Sequence, residues 1–135
     1  TGMKVRVARD RDPLLNNHIY LAPGNANMRI DLSGSSPVAH YVYDHYKEYN
    51  NPSIDCLFES VAAIYGSRAI GVILTGMGRD GTSGLQKIRD AGGLTLAQDG
   101  PSSVVYGMPR AAFESGAAMR QMPLQEIPTF IIRAL

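Results

Sequence analysis

Two compact apolar segments constrain the fold of this chain more than any other feature of its sequence. They lie at residues 69–74 and 94–97, and the segment between them, residues 81–91, carries Leu85 and Ile88 on one helical face before a Gly-Gly pair. Short apolar runs of this kind are typical of strands buried on both faces. Two successive glycines are a good signal for the end of a helix. The pattern predicts a βαβ unit with parallel strands and a right-handed crossover.

The segment before this unit is expected to be rich in strands. Strand-like runs alternate with Asp-Pro, Asn-Asn and Pro-Gly-Asn turns, and they occupy residues 4–8, 19–22 and 28–32. In the first run, Lys4 and Arg6 alternate with Val5 and Val7, which predicts a strand with one solvated face. Residues 33–51 are polar, poorly periodic and interrupted by breakers, so we expect them to be mainly loop.

Helices are predicted on both sides of the βαβ unit. Asn51 offers an N-cap, Pro52 suits a first helical position, and Gly66 marks an end. Apolar side chains recur between them at helical spacing, at Ile54, Leu57, Phe58, Val61 and Tyr65. Later segments predict a helix, a short strand and a terminal helix, at residues 109–115, 118–122 and 124–135. These elements predict one doubly wound α/β domain, with a mainly parallel sheet and flanking helices.

Composition excludes several classes of function. The chain has 135 residues, 44% of them hydrophobic, which is enough for one core. A net charge of +1 gives no field for nucleic acid or an anionic membrane. No run approaches the roughly 18 apolar residues of a membrane span, so we expect a cytoplasmic protein without membrane insertion. Cys56 is the only cysteine, so no internal disulfide forms, and we interpret it as structural.

A glycine-rich segment follows the first apolar run and allows two interpretations. Residues 76–81 fit the pattern G-x-G-x-x-G between a strand and a helix, and Asp99 stands where a ribose-binding acid is expected, which together suggest a dinucleotide site. Against this, the Asp80 carboxylate would compete with a pyrophosphate for the helix N-terminus. The alternative is an oxyanion loop, with Asp80 placed to orient a histidine. A third possibility is that Asp80 merely caps the helix.

Several longer blocks carry a resemblance to a known family. They are residues 75–81, 97–99, 102–109, 19–24 and 52–58, which read TGMGRDG, AQD, SSVVYGMP, IYLAPG and PSIDCLF. In their wording and in their order along the chain, these blocks resemble the chemotaxis methylesterases, which are protein-glutamate methylesterases that act with chemoreceptors and a response-regulator domain. The resemblance covers nearly the whole chain and implies a Rossmann-like α/β domain, of which this chain would be the C-terminal two-thirds.

The resemblance implies specific roles for the glycine loop. The family hydrolyses γ-glutamyl methyl esters on receptors, and in many members deamidates glutamines, through a Ser-His-Asp triad without a metal or organic cofactor. Asp80 matches the triad aspartate, and Met77 matches the residue whose backbone N–H helps to hold the oxyanion, with Gly76 and Gly78 beside it. The expected partners are methylated cytoplasmic helices of chemoreceptors, and possible further partners are a receiver domain and a second copy of the chain.

The family's nucleophile and histidine have no counterpart in this sequence. Both are expected upstream, the serine in a Gly-Ala-Ser-Thr-Gly-Gly-like turn after the first strand of the domain. The histidines and loop serines of this chain do not match those positions, and we interpret them as surface residues and turn formers: His18, His40 and His45, and Ser33, Ser35 and Ser36. Asn50 and Asn51 replace a His-Arg pair of the family. We therefore expect this chain alone to be inactive, with an exposed sheet edge that favours self-association.

Two other functions remain open on the sequence. One is a non-catalytic regulatory or scaffold module that binds a receptor or a receiver domain, and the upstream coding sequence would separate it from an enzyme. The other is a nucleotide-binding domain that uses the Gly76 to Gly81 loop, for which stabilisation by NAD in a thermal melt would be the sign.

Overall fold

The computed structural model describes residues 2–43 and 52–135, which form three small sheets and four α-helices. Strands β1 (Lys4–Val7) and β2 (His18–Leu21) pair in parallel, and β3 (Asn27–Ser33) and β4 (Ser36–Val42) form an antiparallel hairpin. The third sheet is parallel in the order β5-β6-β7, with strands Ile70–Ile73, Leu94–Gln98 and Arg120–Met122. This confirms the predicted α/β class and the parallel βαβ unit.

Helices cover the third sheet on both faces. They are α1 (Ile54–Tyr65), α2 (Thr82–Asp90), α3 (Met108–Glu114) and α4 (Ile127–Ala134), with 3-10 turns at Gly66–Arg68 and Leu124–Glu126. Ile73 and Leu85 lie in a core shared by the sheet with α2 and α3. Leu96 packs on the opposite side with Met122 and Ile127 of α4. A sheet buried on both faces accounts for the apolar runs that predicted it. Within the described residues, no helix is long and apolar enough to cross a membrane.

The β3–β4 hairpin corrects one prediction. Residues 36–42 were expected to belong to a loop, but they pair with β3 along its whole length, from Ser36 opposite Ser33 to Val42 opposite Asn27. Gly34 has φ +64° at the first position of the two-residue turn, as a type II′ turn requires. The Gly-Ser pair was therefore a hairpin signal and not only a breaker. The remainder of the predicted loop, residues 44–51 with His45, lies outside the described residues.

The start of α1 corrects a second prediction. Its N-cap is Ser53 and not Asn51, with φ −100° and a side chain that accepts a hydrogen bond from the Cys56 N–H. Pro52 therefore precedes the cap, where it fixes the entering chain without occupying the helix. The end of α1 is confirmed, because Gly66 follows Tyr65 with φ +55°.

Strand β1 differs from the prediction of one solvated face. All four of its residues are exposed, and Val5 and Val7 are 58% and 56% exposed. The strand forms as expected, but the described residues place no core against its apolar side chains.

Candidate active site

The ends of β5 and β6 bring two loops together at one edge of the parallel sheet. The loop after β5 and the loop after β6 pair through a parallel bridge between Gly76 and Tyr106. The Gly76 N–H donates to the Val105 carbonyl at 3.0 Å, and the Gly76 carbonyl accepts from the Met108 N–H at 2.8 Å. Because the carboxyl ends of parallel strands are where α/β proteins place their sites, this edge is the candidate active site.

Side-chain hydrogen bonds hold the two loops at a fixed separation. Gln98, at the end of β6, is 1% exposed, and its Oε1 accepts from the Thr75 N–H at 2.8 Å. Its Nε2 donates to the Ser102 carbonyl at 2.7 Å. The Thr75 hydroxyl accepts from the Val105 N–H at 2.8 Å and contacts the Val105 carbonyl at 3.2 Å. Together these bonds, of which the Gln98 pair is partly buried, hold the loop after β5 against the loop after β6.

The glycine loop presents free backbone donors. Among the described residues, none accepts a hydrogen bond from the Met77 N–H, and the Met77 side chain is 81% exposed. Gly78 follows with φ +97°, a left-handed conformation that a residue with a Cβ rarely adopts. Gly107 lies so close to the loop that a Cβ there would come within 2.8 Å of the Gly76 carbonyl oxygen. An exposed N–H on such a loop has the character of an oxyanion donor.

Asp80 lies at the end of this loop and points at α1. It is 3% exposed, and its carboxylate receives three hydrogen bonds. Oδ1 accepts from the Ser53 Oγ at 3.2 Å and the Asp55 N–H at 3.1 Å, and Oδ2 accepts from the Ile54 N–H at 2.7 Å. The free N–H groups and the dipole at the start of α1 stabilise a negative charge in this position.

Asp55 makes the reciprocal contact with α2. Its carboxylate, 1% exposed, accepts from the Gly84 N–H at 2.7 Å. The two helix starts are therefore capped in exchange. Asp80, which precedes α2, binds the start of α1, and Asp55, in the first turn of α1, binds the start of α2. The alternative in which Asp80 merely caps the helix that follows it does not match the structure, because Asp55 occupies the N-terminus of α2 and the Asp80 carboxylate binds the start of α1. Close packing permits this, since a Cβ on Gly84 would lie 2.6 Å from the Phe58 Cβ.

Ser53, Asp55 and Asn27 are the site residues that the sequence did not reveal. Asn27, 1% exposed in β3, accepts from the Ser53 N–H through its Oδ1 at 2.6 Å, and Ser53 is 4% exposed. The Pro-Ser pair before an apolar helical stripe was the available signal for an N-cap. Nothing in the sequence indicated that Asn27 would lie against it, because that contact spans 26 residues.

The geometry gives little support to a dinucleotide site. Asp99, the candidate ribose ligand, uses Oδ1 to accept from both the N–H and the hydroxyl of Ser102, at 3.0 and 2.6 Å. It therefore organises its own loop. The N-terminus of α2, where a pyrophosphate would be held, is occupied by Asp55.

None of the three hydrogen bonds to the Asp80 carboxylate comes from an imidazole, and the two histidines of the described residues have other partners. His18 Nδ1 lies 2.8 Å from the Asn16 carbonyl oxygen, and the ring stacks on Tyr20. His40 Nδ1 is 3.4 Å from Asp10 Oδ1, an ion-pair distance without good hydrogen-bond geometry. Neither contact places the ring beside the glycine loop.

The three loop serines singled out in the sequence and the cysteine lie outside the glycine loop. Ser33, Ser35 and Ser36 belong to the β3–β4 hairpin and its turn. Burial raises the pKa of the Cys56 thiol, which keeps it protonated and fits the structural interpretation. Within residues 2–43 and 52–135, no cluster of three or more acidic, histidine or cysteine side chains could hold a metal ion.

The fold and this edge together define a class, namely a doubly wound α/β domain with a buried acid and a glycine loop at the carboxyl ends of its parallel strands. The chain belongs to the CheB methylesterase family, whose family model matches residues 1–131. This confirms the family indicated by the sequence blocks.

Individual relatives agree with the family model. A protein-glutamate methylesterase/protein-glutamine glutaminase of Rhodospirillum rubrum is 41% identical over 133 residues, which are 98% of this chain and 34% of that protein. One from Pseudomonas fluorescens is 46% identical over 127 residues, 94% of this chain and 37% of that protein. The crystal structure of the Thermotoga maritima CheB methylesterase catalytic domain superposes with a TM-score of 0.92 at 32% identity, covering 96% of this chain and 69% of that one. The chain thus spans little more than a third of the curated relatives.

Proposed function

We propose that this chain carries the acid and the oxyanion donor of a protein-glutamate methylesterase, which hydrolyses glutamate methyl esters on chemoreceptors. In this proposal the serine nucleophile and the histidine lie in sequence upstream of the chain, in the first third of the same domain. The names of the relatives and the geometry of Asp80 and the glycine loop support it.

The observation that carries the proposal is the hydrogen bonding of Asp80. A carboxylate has about four acceptor positions, and three are used by Ser53, Ile54 and Asp55. The open position is on Oδ2, which has one partner where Oδ1 has two. An imidazole N–H bound there would be fixed in one tautomer, and the carboxylate would stabilise the imidazolium that forms when the serine is acylated.

The glycine loop supplies the second part of the mechanism. The serine oxygen attacks the ester carbonyl carbon, the histidine takes the serine proton, and negative charge develops on the carbonyl oxygen. The Met77 N–H donates to that oxygen, an interaction worth about 3 kcal/mol of barrier where one such donor has been removed from other hydrolases. As the tetrahedral intermediate collapses, the histidine gives its proton to the methoxy oxygen, which departs as methanol. In the second half, the histidine takes a proton from water, the water oxygen attacks the acyl-enzyme carbonyl, and the proton returns to the serine oxygen as the C–O bond to serine breaks.

The same site would also deamidate glutamine. A primary amide passes through the same kind of tetrahedral oxyanion, and the histidine protonates its nitrogen, which departs as ammonia in place of methanol. The two activities in the names of the relatives are therefore compatible with one set of residues.

The proposed setting follows from the family. We assign the reaction to the cytoplasm, with methylated receptor helices as substrate and a receiver domain as a regulatory partner. We further propose that the apolar face of β1 and β2 is covered by the upstream part of the domain, and that the bare face drives self-association when that part is absent.

Methanol release from a methylated receptor fragment tests this proposal. The comparison is between the 135-residue chain and an extended protein that includes the residues encoded upstream in its own gene. We expect turnover only from the extended protein. In it, Asp80→Asn should lower kcat by about 10⁴-fold, the effect of the equivalent change in a well-studied serine protease.

Asp55→Asn is the matched control, because Asp55 is equally buried and also caps a helix but does not face the glycine loop through its side chain. It should lower thermal stability about as much as Asp80→Asn, with a far smaller loss of turnover. Equal losses for the two variants, or turnover by the 135-residue chain itself, would show that the assigned roles are wrong. An extended protein that binds receptor without releasing methanol would support the scaffold function.

A further inference from the structure

Ser53 makes more contacts than an N-cap residue needs. Its Oγ accepts from the Cys56 N–H at 3.3 Å, which is the ordinary capping bond. The same oxygen lies 3.2 Å from Asp80 Oδ1, and its backbone N–H donates to Asn27 Oδ1 at 2.6 Å. All four side chains are buried, with exposures between 1% and 6%.

The hydroxyl proton of Ser53 can be assigned from these contacts. A serine hydroxyl carries one donor, and a carboxylate is acceptor only, so the proton is directed at Asp80. The capping bond uses an oxygen lone pair and leaves that proton free for the carboxylate. Ser53 therefore links the start of α1 to the acid, and Asn27 of β3 holds Ser53 from the other side.

We propose that Ser53 is a positioning residue for Asp80, and that Asn27 fixes Ser53 for this purpose. This inference rests on the proposed function, in which Asp80 orients a histidine. The two bonds to Oδ1 and the single bond to Oδ2 hold the carboxylate plane in one orientation. Without the Ser53 hydroxyl, Oδ1 keeps only the Asp55 N–H and Oδ2 keeps the Ile54 N–H, so the carboxylate is held less firmly and the open Oδ2 position is less well directed.

The expected consequence falls on turnover and not on substrate binding. Ser53 has no contact with the exposed face of the glycine loop, so KM should change little. Loss of one hydrogen bond to a charged group corresponds to a decrease in kcat of about 10- to 100-fold. The acid limb of the pH profile, set by the histidine, should move to lower pH, because a carboxylate that is no longer held toward the imidazole stabilises the imidazolium less.

The experiment measures kcat, KM and the pH profile of methanol release for variants of the extended protein. Ser53→Ala removes both the cap and the link, whereas Ser53→Gly removes the hydroxyl but retains a nearly equivalent N-cap, so that the helix is preserved. Ser53→Thr restores the hydroxyl and should restore most of kcat. Ser60→Ala is the control, because the buried Ser60 hydroxyl of the same helix bonds to Ile30 and Leu57 and not to Asp80.

A double variant separates this inference from the proposed function. If Ser53 acts through Asp80, Ser53→Gly should have little further effect on kcat when Asp80 is already Asn. Independent, multiplicative losses would overturn the positioning role, as would a loss no greater than that of Ser60→Ala. If Asp80→Asn lowers kcat but Ser53→Gly does not, only this inference fails. If Asp80→Asn has no effect on kcat, both the proposed function and the positioning role of Ser53 fail.

Discussion

The β1–β2 sheet and the β5–β6–β7 sheet are both parallel, but they differ in what covers them. In the β5–β6–β7 sheet, Ile73 and Leu96 are 1% exposed on opposite sides, against α2 and α3 on one and α4 on the other. In the β1–β2 sheet, Val7 is 56% and Leu21 is 50% exposed. Apolar strand residues that pack into a core in one sheet are thus left at the surface in the other. In this chain, strands therefore pair into a sheet even where the described residues supply no core against their apolar side chains.

The two sheets also differ in how their polar groups are used. Thr95 of β6 is fully buried and donates its hydroxyl to the Ala117 carbonyl at 2.7 Å. Around β1, the contacts lie nearer the surface, such as the 3.1 Å ion pair of the 45% exposed Arg6 side chain with Asp12 and the Arg6 guanidinium over Tyr20. Exposed ion pairs contribute about 0–1 kcal/mol. Most of the stability should therefore come from the β5–β6–β7 half.

The largest expected effect compares one substitution in both regions. Leu85→Ala removes a side chain with 0% exposure from the core under β5 and should cost about 2–5 kcal/mol of unfolding free energy. Leu21→Ala, at 50% exposure in β2, should cost less than about 1 kcal/mol. Urea unfolding of the 135-residue chain measures both. Similar losses would mean that β2 is buried in solution, for instance by self-association.

A second comparison isolates the close approach of α1 and α2 to β5. Gly81 and Gly78 both have φ +97°, but a Cβ on Gly81 would lie 2.5 Å from the Ile73 side chain, whereas Gly78 has open space. Gly78→Ala should carry only the cost of the left-handed conformation, about 1–2 kcal/mol. Gly81→Ala should cost about 1–3 kcal/mol more, as overpacking does. Thermal melts of the two variants measure the difference. Equal decreases in melting temperature would mean that α1 and α2 lie farther from β5 than in this structure.

The sequence predicted most of the β5–β6–β7 half because its signals are local. The apolar runs, the Gly-Gly stop after α2 and the left-handed Gly66 after α1 each act over a few residues, and each marks an element that the structure contains. The strand at residues 36–42 was missed because its partner, β3, supplies the pairing and its own sequence shows little alternation. The exposure of β1 could not be predicted either. Alternation of apolar and charged side chains shows which face of a strand can pack against a core, but not whether a core lies there.

The site was predictable as far as its residue types and no further. The glycine loop and Asp80 were located because they follow an apolar strand in a recognisable block. The assignment of Asp80 to α1 and Asp55 to α2 was not predictable, because both carboxylates stand near helix starts and local sequence favours the nearer one. Which helix each one caps depends on the tertiary approach of the two helices.

A third prediction concerns self-association. Val7→Lys places a charge on the exposed face of β1 and should reduce the apparent molecular mass in light scattering, with a stability change within about 0.5 kcal/mol. Leu32→Lys is the matched control, because Leu32 is also 56% exposed but lies in the β3–β4 hairpin. The same decrease in mass for both variants would show that general hydrophobicity, and not the β1–β2 face, drives association.

The smallest expected effect concerns the thiol in α1. Burial raises the pKa of Cys56, so the folded chain keeps its proton at pH values where the unfolded chain has lost it. Since the folded state then binds more protons, the contribution of Cys56 to stability is present below the ordinary thiol pKa of about 8.5 and decreases as pH rises above that value. Cys56→Ala should remove this decrease. Urea unfolding of both proteins between about pH 8 and 10 gives the free energy of unfolding at each pH, and its slope against pH should differ between them. Equal slopes would mean that the thiol ionises as easily in the folded chain as in the unfolded one. Cys56 would then be accessible to solvent, and the packing of α1 on β3 would be looser than in the β5–β6–β7 half.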